Sequence, residues 1–481
     1  MPCALMTSEQ ASSRRVGRDD DLSLLRHRRP QLSRIRQVTA RACKQAGLCF
    51  AKALPGMAAR FRHLGLTTVS DRIVQASLGS KRVSLARPLS PVSKPVFAVA
   101  PGQRELRLDL FRGLALWLVY IDHLSPDVLT WLTIRNYGFS DATEIFIFIS
   151  GFTAGLVYGR ATFESGIVIG TMRVLRRVWQ IYTAHLLLFL VLMAEIAYAT
   201  TISQKPSFYI QEMEVGEFFR QPGAEMIQAL LLRFRPLNMD ILPLYVVLMA
   251  ALPVILQLAR YHRDLPLVLS AALYIVTLRY DLHLSTDPEG FWSFNPYAWQ
   301  LLFVFGVWCA LGGGRRLSRL LESSVVLWIA VAYLGAAFFV ILTWHLPSLE
   351  SLIPGWLMRV IYPIDKTNLD VLRFAHFLAL TVVALRFVPG GWAGLRSPYL
   401  RPLILCGQYS LQIFTLGVAL AFAGYVLLTE LDAGVVLHFA VGVAGIWILC
   451  TVAGTFAWYR RAISRRARET AVPSKPKAQG S

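Results

Sequence analysis

The sequence predicts an all-α protein, a polytopic transmembrane bundle of about ten helices behind a basic, mostly disordered N-terminal extension. Three observations point there. The 481 residues are 55% hydrophobic and only 16% charged, with mean hydropathy +0.49, whereas soluble domains carry about 25% charge. Apolar runs recur from Leu106 onward, each close to the ~20 residues that cross ~30 Å of hydrocarbon. The basic residues gather at one end of each run, as they do on the cytoplasmic side of membrane proteins.

Residues 1–103 hold 18 Lys/Arg against five acids, are rich in Arg, Ser and Pro, and show no sustained periodicity. They read as a disordered cytoplasmic extension. Residues 104–458 form the membrane domain, with spans at 106–124, 139–158, 178–199, 240–259, 264–280, 296–312, 324–344, 369–387, 403–428 and 434–458. Helices are expected because backbone groups in lipid must be satisfied within their own segment. Residues 459–481 read as a second basic, disordered cytoplasmic tail.

With the N-terminus inside, the inner connections hold 12 Lys/Arg and three acids, and the outer ones hold seven Lys/Arg and 12 acids. That asymmetry supports ten spans with both termini cytoplasmic. It also accounts for the formal charge of +20 through the lipid bilayer, with no nucleic-acid partner. The outer connections 201–238, with an amphipathic stretch at Ala224–Phe234, and 346–367 are long enough for a lid or vestibule, or are plain connections. The six cysteines form no C-x-x-C pair, so neither a disulfide framework nor a metal site is expected.

Ionisable groups inside spans cost roughly 2.5–3.5 kcal/mol at the centre and need a reason. The first span, LDLFRGLALWLVYIDHL, holds Asp109, Arg112, Asp122 and His123. Arg112 and His123 are eleven positions apart, about three turns and roughly 16 Å along one helix face. Asp122 points about 100° away from His123, and Asp109 is placed one turn before Arg112 to pair with it. Arg112 reads as a snorkelling anchor or as a functional cation. His123 reads as a hydrogen-bonded packing residue or as a base.

In the second span, Glu144 faces either His123 or a substrate hydroxyl, while Ser150, Gly151 and Gly155 allow close helix approach. In the third, Arg173 and Arg176 share a face and suit a phosphate-bearing ligand or simple anchoring. His185 lies deeper. Asp240, Asn295, Gln300, Lys366, Asn368, Arg373 and His376 recur at span edges, where several are expected to converge in the outer half.

RLDLFRGLALWLVYIDH with Arg112-x10-His123, FIFISGF at 146–152 and Arg173-x-x-Arg176 resemble the motifs of the membrane-bound acyltransferase-3 superfamily. MDILPLYVVLM, FNPYAWQLLFVFGVW, DKTNLDVLRFAHFLAL and CGQYSLQIF resemble the OpgC family, succinyltransferases acting on osmoregulated periplasmic glucans. The resemblance covers about 104–458 and leaves out the extension.

It implies an acyltransferase-3-like bundle in a bacterial inner membrane. The implied reaction moves an acyl group, succinyl in that family, from cytoplasmic acyl-CoA to glycan hydroxyls outside, with no permanently bound cofactor. His123 is then the base, with Glu144 as its orienter. Arg173 and Arg176 hold the CoA phosphates, Arg112 holds the pantetheine end or the acyl carboxylate, and Lys366, Asn368 and Arg373 contribute to substrate binding. Donor and acceptor would meet inside the bundle without a covalent acyl-enzyme. A transporter or flippase of a glycan or lipid is the alternative reading.

Overall fold

The computed structural model describes residues 99, 104–124, 128–286, 290–346, 348–349 and 353–471. The expectations for residues 1–103, Val99 apart, and for 472–481 lie outside them. The first helix, α1 (Leu106–Leu124), leads through two 3₁₀ turns to α2 (Ala142–Ser165). Gly166 alone, at φ +94°, turns the chain into α3 (Ile167–Ile202). Three short helices, α4 (Pro206–Glu212), α5 (Gly216–Arg220) and α6 (Pro222–Leu230), fold the long connection, and α6 takes in the amphipathic stretch only as far as Leu230. Then follow α7 (Ile241–Tyr261), α8 (Leu265–Tyr280), α9 (Pro296–Ala310), α10 (Ser318–Glu322), α11 (Ser324–His345), α12 (Gly355–Ile361) and α13 (Val371–Phe387). The chain closes with α14 (Arg401–Gln408), α15 (Ser410–Glu430) and α16 (Val435–Ala471).

The described residues are mostly helical and form no β-strand beyond one isolated bridge between Ser285 and Phe291. Each apolar run of the sequence is helical, with the run at 403–428 broken at Tyr409. Among the described residues six helices, α2, α3, α7, α11, α15 and α16, are long and apolar enough to cross a membrane. The others fall short for identifiable reasons. α8 has 16 residues, α13 has 17, and α9 is followed by a segment bent away by 87°. α1 has 19 residues but includes Arg107, Asp109, Arg112 and Asp122. Helix α16 continues through 459–471, which the sequence reading placed in a disordered tail. The segment is rich in Ala and Arg, both good helix formers, and carries on a helix already nucleated upstream.

Two seams bring backbones into contact where glycine removes the side chain. Gly151 of α2 lies against the backbone of Phe303, and Gly306 of α9 lies against the backbone of Phe148 and Phe152. Gly113 of α1 meets the Leu403 carbonyl, and Gly407 of α14 meets the Asp109 carbonyl. A Cβ at any of these positions would overlap the neighbouring helix. The small-residue pattern of the second span therefore does what its spacing predicts.

These contacts define two ends of the bundle. The proximal end holds the starts of α1, α14 and α15. The distal end holds the start of α2, where Asp141 faces residues before α13, and the start of α9, where Asn295 bonds Asn368 at 2.8 Å. At about 1.5 Å per residue, α3 and α16 run to roughly 54 Å, well beyond ~30 Å of hydrocarbon.

Candidate active site and its two charged ends

The distal cluster is built from helix-capping chemistry. Asp141 precedes α2 and accepts from the Thr143 backbone N–H at 2.8 Å, while the Glu144 carboxylate accepts from the Asp141 N–H at 3.0 Å. This capping box satisfies backbone donors that the first turn leaves open. It also fixes two buried carboxylates side by side, and α13 supplies the compensating charge. Arg373, 8% exposed, donates from Nε to Glu144 at 2.8 Å and reaches Asp141 at 3.3 Å. Lys366 Nζ meets Asp141 at 2.7 Å and lies 5.2 Å above the Phe294 ring. Below the ion pairs, His376 Nδ1 is 2.7 Å from the Ser140 hydroxyl and 3.3 Å from its N–H.

The loop carrying Lys366 is held rigidly. Asn368 donates to Asp365 at 2.8 Å and accepts from Asn295 at 2.8 Å, while Trp299 Nε1 donates to the Lys366 and Thr367 carbonyls at 3.1 Å. Asn368 thus positions the loop that presents Lys366.

His123 lies at the distal end of α1. Its Nδ1 is buried without a hydrogen-bond partner among the described residues. Lys366, Asp141 and Arg135 all act on it electrostatically, so the imidazole lies within electrostatic range of the cluster. Asp122 Oδ1 is likewise buried and unpartnered, and feels the same three charges. Glu144 does not orient His123. Its oxygens bond Arg373 and the Asp141 N–H, and no hydrogen bond joins it to His123 among the described residues. A carboxylate at the third position of a helix turns back on its own N-terminus, which explains the difference.

Arg112 is not a snorkelling anchor. It is 8% exposed and donates to the Ile149 carbonyl at 3.1 Å and to Thr153 Oγ1 at 2.5 Å, inside the bundle. Asp109 does not pair with it. That carboxylate takes Arg104 Nε at 2.6 Å and Gln408 Nε2 at 3.3 Å.

The proximal end carries a cavity of about 370 Å³, lined by Arg177, Gln408, Tyr409, Gln412, Phe456 and Arg460 among others. Arg173 and Arg176 are exposed and do not line it. The buried stripe of α3 runs Gly170, Val174, Ile181, His185 and Leu188. At helical spacing this stripe passes through position 177 and misses 173 and 176. His185, fully buried on that stripe with neither ring nitrogen partnered, is core.

The sequence reading expected several of its span-edge residues to converge, and Asn295, Lys366, Asn368, Arg373 and His376 do gather at the distal end, with Glu144 among them. It missed Asp141 and Ser140, which complete that end, and Arg177, Tyr409 and Arg460, which shape the other.

A family model described as OpgC protein matches residues 104–461. The chain belongs to the OpgC protein family. Its apolar helices make it a membrane protein of that family. No curated protein and no solved structure matches it. The matched residues take in both charged ends and every contact described above.

Proposed function

We propose that this chain is a membrane O-acyltransferase. It moves an acyl group, succinyl by the family's precedent, from cytoplasmic acyl-CoA to a hydroxyl of a periplasmic glucan or related glycan. In this reading the protein is an acyltransferase-3-like bundle crossing a bacterial inner membrane ten times, with its proximal end and both termini in the cytoplasm. Membership of the OpgC family supports it, as does the excess of Lys/Arg in the connections that this topology places inside.

The observation that carries the chemistry is the buried, unpartnered His123 Nδ1 beside a cluster whose own acids and bases already compensate one another. A general base needs a free nitrogen within reach of the hydroxyl proton. His123 takes the acceptor's hydroxyl proton as the oxygen attacks the thioester carbonyl. The tetrahedral adduct collapses, the C–S bond breaks, and the imidazolium returns the proton to the leaving thiolate. Donor and acceptor react directly, with no ester to the protein. Arg112, fixed in mid-bundle by two contacts to α2, sits along the donor's path from the proximal end.

The test is mass spectrometry of periplasmic glucans from cells lacking the gene, complemented with wild type or His123→Ala. The ester-linked mass returns with wild type and stays absent with the variant, which still accumulates in the membrane because the removed nitrogen has no partner to lose. Restoration of the ester by His123→Ala would remove the imidazole from the mechanism. Solute flux through liposomes holding the purified protein, without acyl-CoA, would favour transport instead.

A further inference from the structure

The proximal cavity is built for an anion that the protein itself does not supply. Arg177 and Arg460 both line it, and neither meets a carboxylate among the described residues. Arg177 gives one donor to the Gln180 side chain at 3.3 Å and keeps the rest of its five-donor fork. Arg177 and Arg104 also act with like charge on Arg112, whose Nε is buried and unpartnered among the described residues. Asp109 is the acid nearest to hand, and Arg104 and Gln408 already occupy it. Like charges gathered around a cavity repel one another until a counter-charge enters.

Two further features narrow the ligand. The break at Tyr409 starts the 21-residue helix α15 inside the cavity, with no side-chain cap, so Ser410, Leu411 and Gln412 bring first-turn backbone to its wall. Free N–H groups and the helix dipole there favour phosphate. Tyr409 and Phe456, both lining residues, stack with ring centroids 5.7 Å apart and an interplanar angle of 25°. Arg460 lies 5.9 Å over the Tyr409 ring. A phospholipid headgroup would use the cations but not an aromatic platform, whereas a purine nucleotide uses both.

We propose that this cavity seats the nucleotide end of the acyl-CoA donor, with its phosphates between Arg177, Arg460 and the start of α15 and its adenine against the Tyr409–Phe456 pair. The assignment rests on the acyl-transfer reading and gives the donor a seat other than the exposed Arg173 and Arg176.

The full-length protein in phosphatidylcholine nanodiscs is titrated calorimetrically with CoA, adenosine 3′,5′-bisphosphate and pyrophosphate. CoA and the bisphosphate are expected to bind saturably, and Arg177→Ala and Arg460→Ala each to weaken both by about tenfold or more. Tyr409→Ala should weaken the bisphosphate more than pyrophosphate, and Tyr409→Phe should restore it. Arg316→Ala, which removes a proximal cation already paired with Asp264, should change nothing.

Arg460 is exposed, so its alanine variant keeps the fold and the test stays decisive if Arg177→Ala unfolds. CoA binding that both arginine variants retain would overturn this seat and leave acyl transfer standing. Wild type that binds no CoA would overturn the acyl-CoA donor and the seat together. Arg460-dependent retention of phosphatidylglycerol, with no nucleotide binding, would make the cavity a headgroup site and overturn the proposal.

Discussion

The two ends of the bundle handle charge in opposite ways. In the distal cluster Arg373 and Lys366 meet acids, binding Asp141 and Glu144 at 2.6–3.3 Å within a helix-capping box. At the proximal end Arg177 and Arg460 face open space. A cluster that neutralises itself asks nothing of a ligand's charge, which agrees with the neutral acceptor hydroxyl proposed above. One that does not neutralise itself calls for an anion. The same residue types therefore signal different substrates, and only their pairing tells the two apart.

The sharpest way to break this contrast is to uncompensate the distal end. Arg373→Met leaves Glu144 buried with no cation in contact and leaves Asp141 to Lys366 alone. Losing one partner of a buried pair costs about 3–5 kcal/mol. Thermal unfolding in detergent should show a drop of that order, and adding Glu144→Gln should recover much of it, because the two residues form one network. Strictly additive losses would mean that the cluster is not a unit.

Gly407→Val attacks the proximal seam instead. Its side chain would run into the Asp109 carbonyl of α1. Overpacking of this kind costs about 1–3 kcal/mol. CoA binding should fall with it, since Gln408 and Tyr409 next in sequence line the cavity. A variant that unfolds earlier yet binds CoA normally would detach the seam from the seat. Lys366→Met, back at the distal end, is milder. The side chain is 45% exposed and Asp141 keeps Arg373, so about 1 kcal/mol is expected after solvent screening. A loss as large as that of Arg373→Met would show that Lys366 holds the cluster together.

Most of the helices were legible because backbone in lipid leaves no other choice. Arg112 and His123 stood out because charge in an apolar run is conspicuous. Asp141 did not, since an acid in a connection is ordinary until the fold brings α13 against it. Tyr409 was hidden because no proline or helix-breaking run announces the interruption there; α14 and α15 part only in three dimensions. Arg177 lines the proximal cavity, whereas Arg173 and Arg176 are exposed beside it in sequence. The apolar stripe through Gly170, Val174, Ile181 and His185 already said which arginine turns inward. What no periodicity supplies is the pairing of charges from helices more than 200 residues apart in sequence, such as Glu144 with Arg373.

The smallest expected effect concerns a proximal arginine that already has a partner. Arg316 reaches Asp264 at 2.7 and 2.8 Å, and Trp308 Nε1 donates to the same carboxylate at 2.8 Å. The space they leave is only about 20 Å³, against about 370 Å³ where Arg177 and Arg460 stand unpaired. The bonds from Arg316 and Trp308 hold the Asp264 carboxyl below its ordinary value of 3.8. A lowered folded-state value stabilises the fold above the unfolded value, and the gain is lost as pH falls through the folded one. Asp264→Asn should therefore cost about 0.2–1 kcal/mol at neutral pH, discounted because Arg316 is exposed and Asp264 partly so. The gap from wild type should close below about pH 3.8. Unfolding midpoints across that range check it, and CoA affinity measured on the same variant should not move. A fall in affinity here would mean that general positive charge at the proximal end, rather than the geometry of one cavity, draws the donor in.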